Sequence, residues 1–149
     1  MRDTLCLIES IATMFLLPIL MVLTQSVPNP VVKDCGGGKT IFFLNAASID
    51  PPNPAPNDAV TLHLDYTVPP GTLVTGGEAK YSATYNFIPL SPTVEPLCSN
   101  IPCPLGPGRY VNNSISRWPS GLSGSLTTTL RWSDEAANPL LCINIVAKL

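Results

Sequence analysis

The chain has 149 residues, is 45% hydrophobic and only 12% charged, and carries a formal net charge of −2. A soluble domain is usually about 25% charged, and a protein that neutralises phosphates needs a basic stripe; this composition excludes a nucleic-acid binder. Of the 17 prolines, 16 fall after residue 27, which excludes a long helical bundle.

Residues 1–26 read as a secretory signal. Arg2 supplies the positive start, and an apolar run from Ile11 to Leu23 is interrupted by Thr13 and Pro18. Thr24 and Ser26 suit the −3 and −1 positions of a cleavage site. A membrane anchor would need about 20 apolar residues, more than this run supplies. The expected mature domain, 27–149, has seven basic and eight acidic side chains.

Cys6 leaves with the signal, so four cysteines remain: Cys35, Cys98, Cys103 and Cys142. An even count in a small secreted domain points to two disulfides, with three possible pairings. In one of them Cys98 and Cys103 close a small loop, and Cys35 and Cys142 tie the two ends of the domain. A zinc site is set aside, because no Cys-x2-Cys pair or neighbouring histidine is present.

Ile41–Ala46 is the first expected strand. The segment from Asp50 to Asp58 holds four prolines and reads as a connector that cannot pair in a sheet. Val60, Leu62, Leu64 and Tyr66 then alternate with Thr61, His63, Asp65 and Thr67, the period of a half-buried strand. Pro69-Pro70-Gly71 ends it. Tyr81, Ala83, Tyr85 and Phe87 alternate with Lys80, Ser82, Thr84 and Asn86 in the next strand. Pro89 to Pro107 reads as a long loop, and 109–118 as a weaker strand. Leu126, Thr128, Leu130 and Trp132 give another alternating face, and Leu140–Val146 is a mostly apolar final strand. Asp134-Glu135 fits the tip of the hairpin between these last two. Six or seven short strands with no helical periodicity predict an all-β fold, a β-sandwich.

Catalytic signals are weak. His63 is the only histidine, which excludes a two-histidine metal site, and no Gly-x-Ser-x-Gly accompanies it. Gly36-Gly37-Gly38-Lys39-Thr40 has the composition of a phosphate loop without its spacing. The reading is a non-enzyme without metal or cofactor. Asn112-Asn113-Ser114 is a glycosylation sequon, with Asn112 the acceptor. What remains is apolar surface, which alternation alone assigns either to a filled core or to a dry cavity that accepts hydrocarbon.

The cysteine contexts carry a family resemblance. Val32-Lys33-Asp34-Cys35-Gly36 is followed by Cys98-x4-Cys103-Pro104, Gly108-Arg109-Tyr110, Trp118-Pro119-Ser120, Trp132-Ser133-Asp134 and Leu141-Cys142. This order resembles the ML-domain lipid-recognition family, which includes the Niemann–Pick C cholesterol carrier, fungal phosphatidylglycerol/phosphatidylinositol transfer proteins and group 2 mite allergens. The resemblance covers about 31–149. It implies an immunoglobulin-like sandwich of two antiparallel sheets with a lipid pocket between them, and the pairing Cys35–Cys142 and Cys98–Cys103. The cholesterol carrier has a third disulfide where this chain has its proline-rich segment. That segment and Cys103–Tyr110 look more like the phospholipid-transfer branch.

By position, Trp118 and Leu90 resemble residues at the pocket mouth. The inward faces read from alternation add Leu62, Leu64, Tyr66, Tyr81, Tyr85, Phe87, Leu126, Leu130 and Ile143 as lipid-binding candidates. The expected partner is a phospholipid or sterol, with transient membrane contact, no nucleic acid and a monomeric state. The expected setting is extracellular or the endolysosomal lumen. The competing reading is an immunoglobulin-like interaction module with a filled core and no lipid.

Overall fold

The computed structural model describes residues 29–149; the expected signal, 1–26, lies outside them. Nine strands follow in order: β1 (Val31–Asp34), β2 (Phe43–Asp50), β3 (Ala59–Val68), β4 (Glu78–Tyr85), β5 (Ile88–Pro89), β6 (Thr93–Pro96), β7 (Gly108–Arg117), β8 (Ser125–Ser133) and β9 (Pro139–Lys148). A single 3-10 turn, Leu97–Ser99, is the only helical element among the described residues. All pairings are antiparallel. One sheet runs β1-β9-β8-β4, with β5 and β6 both on the outer edge of β4; the other runs β2-β3-β7. The two form an immunoglobulin-like sandwich, as expected.

Alternation decides which face is buried. In β3, Val60, Leu64, Tyr66 and Val68 are buried while the residues between them are not. In β8, Leu130 and Trp132 are buried on one side while Arg131 is exposed on the other. Such strands can bury only every second residue, so both sheets face a shared interior.

Four details differ from the sequence expectation. β1 was not expected, because Val31-Val32-Lys33-Asp34 is too short to show a period; it is recruited by pairing with β9. β2 begins two residues later than expected and runs to Asp50. Phe42 precedes it, buried, with its N–H donating to the Leu140 carbonyl, so the chain crosses from one sheet to the other there. The strand expected at 80–87 stops at Tyr85, because Asn86 and Phe87 adopt positive φ and reverse the chain. The expected loop 89–107 contains the end of β5 and all of β6, and its Leu97, Ile101 and Leu105 are among the most buried residues of the domain. Prolines hid these short pairings, yet a loop closed by Cys98–Cys103 can still insert side chains.

The aromatic centre lies in one half of the sandwich. Phe42 stacks on Tyr66 at 5.3 Å, Tyr66 on Tyr110 at 5.9 Å, and Trp132 meets Tyr66 edge-on at 5.5 Å. Such contacts contribute beyond area burial, by about 0.5–1.5 kcal/mol per pair. Burial, aided by Tyr110, pushes the Tyr66 phenol up to about 12, so it is neutral at any physiological pH.

The cysteines pair as the resemblance implied. Cys35–Cys142 joins the end of β1 to β9, with Cα atoms 5.0 Å apart, and Cys98–Cys103 closes the small loop. On the chain-entropy model the loop spanning 107 positions stabilises by about 4–5 kcal/mol and the five-position loop by about 2 kcal/mol. Urea unfolding of the Cys35→Ala/Cys142→Ala variant is therefore expected to show roughly twice the loss seen for Cys98→Ala/Cys103→Ala.

On the outer face of β3, Arg109 Nε donates to Asp65 Oδ1 at 2.9 Å and Asn45 Nδ2 donates to the same oxygen at 2.9 Å. The Arg109 hydrogen bond first, then that of Asn45, lowers the Asp65 carboxyl to about 2. A depressed carboxylate stabilises the fold above its ordinary range, and that contribution is lost as pH falls from about 4 through about 2. Carbon-13 titration should find Asp65 near 2 in the native protein and raised toward the usual carboxylate range in Arg109→Gln, where the Asn45 hydrogen bond remains.

Candidate functional site

The half of the sandwich away from the aromatic centre is not filled. A cavity of about 320 Å3 lies between the sheets. Ile49 of β2, Val60 and Leu62 of β3, and Ser114 and Ser116 of β7 form one wall. Tyr81 of β4, Leu126 and Thr128 of β8, and Ile145 and Ala147 of β9 form the other, and Trp118, Pro119 and Arg117 close one end.

The cause is side-chain size. Near the aromatic centre the inward positions are Tyr66, Tyr110 and Trp132. Further along β7 and β8 they become Ser114, Ser116 and Thr128, and on β9 Ala147. Small side chains cannot reach across a gap of roughly 10 Å between sheets. Proteins normally fill such space to crystal-like density, so a void of this size is a feature of the sequence and not slack. Its lining is mainly apolar, with Ser114, Ser116 and Arg117 exposed along the β7 edge, and such sites take apolar guests.

A second cavity of about 270 Å3 adjoins the first and shares Leu62, Tyr81 and Ser114 with it. Its remaining lining is more polar, with Ser99, Asn100, Asn112 and Asn113. Tyr81 Oη donates to Asn100 Oδ1 at 2.9 Å, and Asn112 Nδ2 donates to the Asn100 carbonyl at 2.9 Å. Burial, then the nearby Glu95, raises the Tyr81 phenol. Leu62 and Tyr81 thus stand as a partition between an apolar and a polar compartment.

The candidate lipid-binding residues fall into three groups. Leu62, Tyr81, Trp118 and Leu126 line the apolar cavity. Leu64, Tyr66, Leu130 and Ile143 belong to the packed core, where Leu64 and Leu130 also touch the second cavity. Phe87 and Leu90 do not face the interior at all: Phe87 is 93% exposed on the turn after β4, and Leu90 is 48% exposed. Its alternating period carried Phe87 inward only while β4 was assumed to continue. Tyr85 is half-buried, with its hydroxyl donating to the Ser123 carbonyl at 2.7 Å. Asn112, the sequon residue, points its Nδ2 inward to the Asn100 carbonyl.

Sequence reasoning missed Ile49, Val60, Ile145 and Ala147, although the last two continue the period of Ile143. It also missed Ser114 and Ser116, which are inward-facing but polar. Trp118 is held in place through its backbone: its N–H donates to the Asp58 carbonyl and its carbonyl accepts from the Asn57 N–H. The proline-rich connector therefore ends against the cavity wall.

Electrostatics at the cavity are sparse. Arg117 is the only formally charged lining residue, and its Nη1 donates to the Asn57 carbonyl at 3.3 Å. His63 lies on the outer face, bonded to Asn113 Oδ1. Among the described residues no group of three or more His, Cys, Asp or Glu is placed to hold a metal, and no helix is long and apolar enough to cross a membrane.

Comparison with known proteins bears on this arrangement. No curated protein matches the sequence. Among solved structures, a Niemann-Pick type C2 protein from the Japanese carpenter ant is similar, at 19% identity and a TM-score of 0.60, over 79% of this chain and 98% of that one. Chicken MD-1, solved in complex with lipid IVa, is similar at 16% identity and a TM-score of 0.53, over 78% of this chain and 86% of that one. These likenesses concern the fold. The family model of the ML domain matches residues 30–149, nearly the whole described chain, and the protein belongs to that family.

Proposed function

We propose that the protein binds and carries a lipid, holding the apolar part of one molecule in the cavity between its sheets. The observation that carries this reading is the unfilled, mainly apolar space beside a densely packed aromatic centre. Membership of the ML domain and the lipid IVa held by chicken MD-1 support it. The cavity favours the carrier over an interaction module with a filled core.

Binding of this kind is passive. Each methylene taken from water contributes about 0.8 kcal/mol, and no proton transfer or metal is called on. The protein is therefore read as a carrier and not an enzyme. At about 320 Å3 the apolar cavity sits at the small end of ligand sites, which run to about 1,000 Å3. A hydrocarbon chain suits it better than a rigid ring system, and rotation of Leu62 or Tyr81 would join it to the polar cavity, where Asn100 and Asn112 could meet a headgroup. That geometry favours a phospholipid or another acyl-chain amphiphile over a sterol. Two disulfides and the leader-like start support an oxidising, extracellular or endolysosomal setting. We take the carrier as a monomer that meets membranes transiently to load and release.

Organic extraction of the purified native protein, followed by mass spectrometry, should yield an acyl-chain lipid near one per protein. Thr128→Phe places a ring where two or three methylenes would lie. It should weaken binding of a fluorescent fatty-acyl probe by roughly 2 kcal/mol, about thirtyfold, with little change in Tm. Absence of lipid in the extract together with no probe binding by the native protein would overturn the reading.

A further inference from the structure

The turn between β4 and β5 is built in an expensive way. Tyr85 pairs with Ile88, and the two residues between them, Asn86 and Phe87, have φ of 45° and 68°. Positive φ at both central residues marks the mirror-image hairpin turn, where the second position is ordinarily glycine. A bulky side chain there is a steric outlier. The chain accepts that cost in order to place a phenyl ring in solvent, 93% exposed. Ile88, Leu90 and, on the loop after β7, Leu122 are also largely exposed.

This tip is rigid. Asn86 N–H donates to the Ser125 carbonyl at 2.9 Å, and Asn86 Oδ1 accepts from the Ser125 N–H at 2.8 Å. The Tyr85 hydroxyl is fixed on the Ser123 carbonyl, and Gly124 packs so closely on the Asn86 amide that a Cβ there would collide with it. The same clamp ties the tip to the cavity. Tyr85 is in register with Leu126, which lines it, and the loop reached by the clamp begins at Trp118 and Pro119, which close its end. Residues 81–94 and 118–130 contain no Asp, Glu, Lys, Arg or His. By contrast, the exposed Val111 and Ile115 of β7 lie among Arg109, Arg117, Asp65 and His63.

We propose that Phe87, with Ile88 beside it, is a membrane anchor that inserts into the interfacial layer of a lipid bilayer and sets the cavity end at Trp118 against it. The partner is a lipid surface because the tip is apolar, convex and uncharged, and stands beside a cavity suited to hydrocarbon. Apolar side chains such as Phe and Ile insert at that layer by burying apolar area, without needing anionic lipid. The purpose given to this anchor rests on the carrier reading above; its insertion does not.

Co-sedimentation with phosphatidylcholine vesicles tests it. The native protein should bind, and binding should persist at about 1 M salt, where charges are screened within about 3 Å. Phe87→Gly should lose about tenfold or more in partitioning, the share a buried Phe side chain supplies. Its Tm should be unchanged or higher, because glycine suits the positive φ. Phe87→Trp should restore binding, and its added fluorescence should be quenched by brominated acyl chains. No vesicle binding by the native protein, unchanged binding by Phe87→Gly, or an unquenched Phe87→Trp would each overturn the proposal. A fatty-acyl probe in vesicle-free solution separates the two readings: native protein and Phe87→Gly should bind it equally. Quenching of Phe87→Trp with no probe binding by either would keep the anchor and remove the carrier.

Discussion

The separation of the two sheets is set by the aromatic contacts around Tyr66. Phe42, Tyr110 and Trp132 meet that one ring from three directions, and rings of this size hold the facing strands apart. Strands are stiff over ten residues, so the spacing imposed at one end persists toward the other. Beyond the aromatics the inward residues shrink to Ser114, Ser116, Thr128 and Ala147, and the sheets cannot collapse onto them. The cavity is thus a consequence of the packed half. Cys35–Cys142 ties β1 to its neighbour β9 within one sheet, at the filled end beside Trp132 and Leu141, and places no covalent tie at the other end.

This division of labour separates stability from binding. The filled half holds the buried Leu97, Leu105, Leu140 and Ile143 with the aromatic group, enough for a domain of this size to bury a continuous core. The cavity half has a smaller cluster, Val60, Trp118 and Ala147, joined by partly buried neighbours. A ligand entering there restores the dispersion contacts that the small side chains forgo, so binding and folding draw on the same interior without competing for the same residues. Tyr81 and Leu62 lie at the boundary, which is where a change of side-chain position would alter cavity length at least cost to the core.

Much of this could be read from the chain. The period-two pattern of β3, β4 and β8 located those strands and their buried faces, because each face meets a uniform environment, and the apolar run of Leu140–Val146 located β9. The family resemblance supplied the disulfide pairing that cysteine counting left open. Alternation could not separate core from cavity, since Leu64 and Leu62 lie two residues apart on one face and differ only in what stands opposite. Opposition is a property of the other sheet. Nor could polarity find Ser114 and Ser116: an inward serine on an edge strand looks like a solvent-facing one until the second sheet is in place. Phe87 was misplaced because a period says nothing about where it ends; two consecutive positive φ angles ended it.

The scarcity of charge acquires a location. Charged side chains are confined to the outer faces and the turns: Asp65 with Arg109 on one sheet, Lys80 and Arg131 on the other. Apart from Arg117 at the end of the cavity, the inner faces hold none, since a charge buried without a partner would cost several kcal/mol. The two segments flanking the cavity end hold none either, although they are exposed, and burial cannot explain that. An exposed rim loses nothing in stability by carrying lysine or glutamate, so its neutrality is not a requirement of the fold. A charged rim would have to shed hydration each time an apolar molecule passed, whereas Trp118, Pro119 and Leu122 need not. The low charge of the whole chain therefore has two separate sources, an interior shared by two sheets and uncharged segments beside the cavity end.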